Sequence, residues 1–308
     1  MLHRPWLIPP ILAFWAVTMG WLVTAKILPS LAAGTAPGYQ AFFASGTRLV
    51  PVAWTVLCND SPMGWAISRA ERLADRGLLV ESLLHFDTLP IDEMLPPWLR
   101  TMARHAVEVR PAPAFDARGT LVIDPRGELR SFGSVVMVPG LKEKIVLNGT
   151  LEDGKVSIVI TGNGMRYATE RHFPSTVVLG DELSPQAMMP GLKAGRRWTV
   201  PVYSPLRPGS TPIEILHAHV AKEDAMYWED QLVRVHVVHY RDDPSAHHEP
   251  RTTLWVDLSG RVLKQESVVL GSRLAFLRRG DDEAERLAAT IDTNAREGRP
   301  AVATESGP

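Results

Sequence analysis

The stretch from Pro5 to Ala25 constrains this chain more than any other segment, because its twenty-one residues carry no charged side chain. His3 and Arg4 precede it and Lys26 follows it. At ~1.5 Å per residue a helix of that length spans ~31 Å, matching a bilayer hydrocarbon core of ~30 Å. Trp6 and Trp21 stand near its two ends, where indoles favour the membrane interface. Pro5, Pro9 and Pro10 crowd the first turns, so regular helix is expected from about Pro10, with that proline in the first turn. The alternatives are a signal peptide cleaved after Ser30-Leu31-Ala32 and a buried core helix. Secretory apolar regions run ~7–15 residues, and this one is longer. The reading adopted is a transmembrane signal anchor over residues 1–28. Arg4 and the α-amino group favour the N-terminus inside. The expected location is the inner (cytoplasmic) membrane, single-pass, with the C-terminal domain periplasmic or extracellular.

Residues 29–48 read as a linker of small residues. From Leu49 the pattern turns to period two, the strand signal. Val52, Trp54, Val56 and Cys58 alternate with Ala53, Thr55 and Leu57. Asn59-Asp60-Ser61-Pro62 is turn chemistry. Met63–Arg72 resumes, and Leu78–Phe86 is apolar on both faces, as a central strand would be. Pro96-Pro97 can open a short amphipathic helix carrying Leu95, Leu99 and Met102 on one side. Further strands are expected at 120–123, 128–138, 143–152, 155–161, 176–179, 197–203, 211–222, 231–241, 251–258, 261–270 and 273–277. Asp153-Gly154 is the strongest hairpin signal in the chain. Residues 183–192 are expected to form one helical turn, and 281–308 a charged, largely disordered tail in which Asp281 to Arg296 can form a frayed helix.

The expected fold is therefore mainly β. An N-terminal transmembrane helix leads to a large curved antiparallel sheet, half-barrel or barrel-like, over residues 49–280, with one or two short helices. No βαβ alternation and no fixed repeat period occur, which disfavours a parallel sheet and a propeller.

Motifs for catalysis are missing. The sequence has no G-x-S-x-G elbow, no H-E-x-x-H and no phosphate loop. The single cysteine, Cys58, rules out an internal disulfide and has no sequence-assigned histidine base. His217 and His219 point to one strand face, and only one of His236 and His239 can join them. No further ligand is placed by spacing, so ordinary strand histidines are expected rather than a metal site. A formal net charge of −1 with no basic run argues against nucleic acid. No enzyme and no cofactor are expected.

Nine tryptophans remain to be explained. Trp54, Trp65, Trp198 and Trp255 lie in expected strands. They fill a core, or they line the concave side of the sheet as a site for a lipid or lipid-like group. The alternative role is a scaffold or accessory subunit of a membrane complex, with another envelope protein as partner.

Leu183–Tyr203 (LSPQAMMPGLKAGRRWTVPVY), Ala221-Lys222-Glu223, Val233–Tyr240 and Leu254–Leu263, in that order, resemble uncharacterised bacterial envelope half-barrel domains. These are similar in architecture to the lipoprotein-carrier (LolA-like) fold. Met63-Gly64-Trp65-Ala66 resembles their opening hairpin. The resemblance covers about residues 50 to 278 and implies a half-barrel with no catalytic residue to carry over. Carriers of that fold are soluble or lipid-anchored, so a helix-tethered relative would not ferry cargo by free diffusion.

Overall fold

The computed structural model describes residues 8–24, 49–87, 114–137, 143–162, 164–173, 178–179, 185–203, 213–245, 248–269 and 272–296. The expected helix after Pro96 and the linker 29–48 lie outside them.

The described chain begins with helix α1 (Ile8–Leu22). Strands follow in chain order: β1 (Val52–Cys58), β2 (Ser61–Arg72), β3 (Leu78–Phe86), β4 (Phe115–Ile123) and β5 (Leu129–Met137). Next come β6 (Ile145–Glu152), β7 (Lys155–Gly162), β8 (Met165–His172), β9 (Val178–Leu179) and β10 (Arg197–Tyr203). The last are β11 (Ile213–Trp228), β12 (Gln231–Arg241), β13 (Thr252–Asp257), β14 (Val262–Val269) and β15 (Ser272–Arg278), and helix α2 (Asp281–Arg296) ends the described chain. All fifteen strands join one sheet, ordered β8-β7-β6-β5-β4-β3-β2-β1-β15-β14-β13-β12-β11-β10-β9. The chain thus builds outward from β1 in one direction and returns through β15 in the other.

Two-residue turns set the register. Asn59-Asp60, Asp153-Gly154 and Glu229-Asp230 all take positive φ at both positions, between 47° and 72°. They close the pairs Cys58↔Ser61, Glu152↔Lys155 and Trp228↔Gln231. This is the type I′ geometry whose twist matches paired strands. Register shifts at Val56/Leu57, Val122/Ile123, Val220/Lys222 and Trp255/Val256 bend the ladders. The sheet consequently rolls. Leu129, Phe132, Val156 and Ile158 from one arm share a core with Tyr203 from the other. Phe173, just past β8, meets Tyr203 edge-on at 5.9 Å. Gly149 makes room there: a Cβ would come within 2.2 Å of the Phe132 ring. The strand order stays open from β8 to β9, so the arms meet through side chains rather than a closed ladder.

Four expectations are corrected. The sheet is not wholly antiparallel, because β9 has two residues and runs parallel to β10. Residues 185–192 form an extended strap, with Met188 bridging Arg261, instead of a helical turn. β8 is a full strand, although its burial pattern shows almost no apolar face. The charged stretch Asp281–Arg296 is a helix of sixteen residues docked on the sheet rather than a frayed one in a largely disordered tail. Its Ala284, Leu287, Ala288 and Ile291 fall at helical spacing and are buried on Ala53, Trp65, Ile67 and Leu83. Its acidic first turn, Asp281 to Glu283, suits the positive end of the helix dipole.

Of the segment expected as an anchor, residues 1–28, the described part is 8–24, and it contains α1. Its fifteen residues span ~22 Å, against a bilayer core of ~30 Å. No helix among the described residues is long and apolar enough to cross a membrane. The side chains of α1 are nonetheless exposed on every side: Leu12, Phe14, Trp15, Val17 and Trp21 all keep more than half their surface open. The Thr18 hydroxyl donates back to the Phe14 carbonyl at 2.9 Å, so a polar side chain is satisfied inside the helix.

Candidate functional site

The strands bury both faces over β1 to β3. Trp54, Val56 and Cys58 face the inner side of the roll, and Ala53 faces α2. This explains why β3 reads apolar throughout: Leu84 and Phe86 point inward while Leu83 lies under α2.

The four tryptophans do not form one site. Trp54 and Trp198 share the inner core and are 0% and 1% exposed. Met189 of the strap, Phe86 and Phe276 fill the same cluster, each 1% exposed or less. Trp65 lies on the opposite face, beneath α2 and stacked on His85 at 5.3 Å. Trp255 is half-buried on the outer face with the Lys264 ammonium 4.7 Å over its ring. The inner pair is the remnant of the expected concave site, and protein side chains occupy its surroundings.

The strap is fixed to the β13–β14 turn. The Met189 amide donates to the Gly260 carbonyl at 2.6 Å, and the Val262 amide to the Ala187 carbonyl at 3.1 Å. Gly260 is required: a Cβ would stand 2.7 Å from Pro190. Asp257 organises the turn by accepting from the Ser259 hydroxyl and the Arg261 guanidinium, each at 2.7 Å. Burial pushes the Asp257 carboxyl up, but these bonds and the Arg261 charge outweigh it and hold the carboxyl below its usual range. Within the inner core the Trp54 indole N–H has no hydrogen-bond partner among the described residues. Such a donor is costly to bury, by about 1–3 kcal/mol.

The histidines separate by face. His236 pairs with Val256 and lies on the inner side, 7% exposed. His239 stands directly opposite His219 on the outer side, with His217 two residues along. Among the described residues no three His, Cys, Asp or Glu side chains converge to hold a metal ion. Cys58 is buried in the inner core. Asp243 accepts from the Ser245 amide and hydroxyl, as a loop carboxylate does.

A buried polar cluster escaped the sequence reading. His85 is 2% exposed and sits between two carboxylates. Its Nδ1 is 2.7 Å from Asp116 and its Nε2 3.3 Å from Asp87. The Asp116 hydrogen bond raises its pKa against the opposing effect of burial, and the charges of Asp116 and Asp87 add to the rise. Period-two reading could place His85 and Trp65 in strands, but only the β2–β3 register makes them neighbours.

No protein-family model matches the chain, and no curated protein matches it either. Among solved structures it is similar to a β-barrel-like protein of the domain of unknown function DUF1849 from Brucella abortus. Identity is 13%, the TM-score is 0.43, and the match covers 76% of this chain and 97% of that one.

Proposed function

We propose that this chain is a non-enzymatic, membrane-tethered protein of the cell envelope whose rolled sheet serves as a scaffold or accessory subunit outside the cytoplasm. The observation that carries the reading is α1. A helix that is apolar on all sides belongs in a protein core or a bilayer, not in water. Here Phe14, Val17 and Trp21 are exposed rather than packed into a core. The scaffold role follows from the inner face. Trp54, Trp198, Phe86, Phe276 and Met189 fill it, so contact surfaces are sought on the outside of the roll. A crosslinked pull-down of the full-length protein from membranes tests this: a stoichiometric envelope partner is expected, and its absence overturns the scaffold role.

A second reading rests on one atom. The partnerless Trp54 N–H inside an apolar cluster would suit the polar head of a lipid-like group entering the concave face. Organic extraction of the purified protein should then yield a lipid, and Trp54→Phe should release it.

A further inference from the structure

Strand β8 is the part of the sheet that burial does not explain. Met165–His172 is exposed on both faces, and only Thr169 is partly covered. Among the described residues β8 pairs with β7 alone, at one end of the strand order. Such an edge presents backbone N–H and C=O groups to any strand that matches them.

Parity fixes which groups those are. The Phe173 amide donates to the Gly154 carbonyl at 2.7 Å, in step with the β7–β8 ladder. Hydrogen-bonded and non-hydrogen-bonded pairs alternate along an antiparallel ladder. Met165, Tyr167, Thr169 and Arg171 therefore turn their backbone groups toward β7. Arg166, Ala168, Glu170 and His172 turn theirs to the open edge. Arg166 and Glu170 stand symmetrically about Ala168, and all three are exposed. Their neighbours on β7 are uncharged: Thr161 faces Arg166 and Ser157 faces Glu170, while Lys155 stands opposite His172. On the other face Met165 and Tyr167 are 58% and 55% exposed.

We propose that the open edge of β8 is a homodimer interface, in which two copies of this chain pair β8 to β8, antiparallel, about a twofold axis at Ala168. Charge and parity together select this occupant and this register. With the axis at Ala168, Arg166 stands opposite Glu170 of the partner subunit, and Glu170 opposite the partner's Arg166. The outward backbone groups of Arg166, Ala168 and Glu170 then meet outward groups. An axis between Ala168 and Thr169 would set outward groups against inward ones. An axis at Tyr167 would set Arg166 against Ala168, and one at Thr169 would set it against His172, so both lose the ion pairs. Like charges directly opposite destabilise a pair, and a guarded edge uses them. β8 instead carries both signs at mirrored positions. The same register lays Met165 beside Arg171 of the partner subunit and Tyr167 beside the partner's Thr169, which covers both exposed side chains. The pairing is isologous, so it consumes the edge and stops at two copies. It requires neither the membrane tether nor an envelope partner.

The test uses full-length protein in detergent. Cys58 is buried, so the native chain is the control for crosslinking. Hydrogen-bonded partners stand ~5.5 Å apart, within disulfide reach, whereas position 170 of the two copies would be ~13 Å apart along the strands. Mild oxidation should therefore turn A168C into a covalent dimer and leave E170C monomeric. Sedimentation velocity reads the reversible dimer. E170R opposes guanidinium groups at two places and should weaken it about tenfold or more, and R166E/E170R should restore it. A168P removes an outward N–H without touching the β7 ladder, and should abolish the dimer with the thermal unfolding unchanged. A monomer at every concentration would overturn the proposal, as would equal crosslinking of A168C and E170C or failure of the double swap to restore the dimer. So would a dimer that survives A168P and E170R alike, which would mark association through α1 instead.

Discussion

The two helices of this chain invert what their compositions suggest. Helix α1 is apolar throughout and stands exposed, while α2, with Asp281, Asp282, Glu283 and Glu285 in its first turns, is docked on the sheet. Pattern explains the difference. Four small or aliphatic residues at helical spacing give α2 one face to bury, and its charges go to solvent or to partners such as Arg69, which meets Asp292 at 2.5 Å. Helix α1 has no polar face, so no orientation on a protein surface in water would satisfy it. One helix is completed by the sheet; the other packs against nothing among the described residues, which is what the proposed membrane tether rests on.

The largest expected effect breaks α1. Replacing Val17 by Arg places a charge mid-helix at about 2.5–3.5 kcal/mol on insertion scales, enough to shift the protein from the membrane pellet to the soluble fraction. Thermal unfolding of the sheet should not change. Next is the inner core. Trp54→Ala should cost about 3–5 kcal/mol, read from denaturant midpoints, whereas Trp255→Ala on the outer face should cost about 1 kcal/mol or less. Breaking α2 should come third. Leu287→Ala should cost about 2 kcal/mol and raise amide exchange in α2 before it affects β12.

The smallest effect concerns the seat beside α2. The pKa of His85 is raised in the folded protein, so its ion pairs stabilise fully below the unfolded value of about 6.5 and fade as the pH rises through the folded value. The stability gap between the native chain and His85→Gln should therefore be widest in mild acid and narrow toward alkaline pH. A gap independent of pH would remove the charged bridge between Asp116 and Asp87.

Much of the fold was legible, because alternation is a local property. β1 to β3 and β10 to β15 lie close to their expected positions, and Asp153-Gly154 makes the turn its chemistry demands. β8 was not legible: Met165–His172 is exposed nearly throughout, so burial imposes no pattern on it. Helix α2 was legible only as a frayed helix over Asp281 to Arg296, because its stripe uses alanines at two of four positions, which charged neighbours outweigh in any composition window. The candidate sites depended on register. Counting back from the Trp228↔Gln231 closing pair, an unbroken ladder sets His219 against Tyr240. The bulge at Val220/Lys222 shifts the partner by one, to His239. Sequence parity gave the shared face of His217 and His219, but no spacing rule predicts a bulge. The tryptophans failed as a group for the same reason: residue type marked them as buried without saying on which face.

The central claim is that α1 is lodged in a bilayer and holds the sheet on the outer side of it. Protease added to spheroplasts tests this directly, with cleavage followed by an antibody against the β10–β15 half. The account predicts digestion of that half while a cytoplasmic marker stays intact, and loss of membrane retention on deletion of residues 1–24. Full protection of the sheet until the membrane is lysed would contradict it.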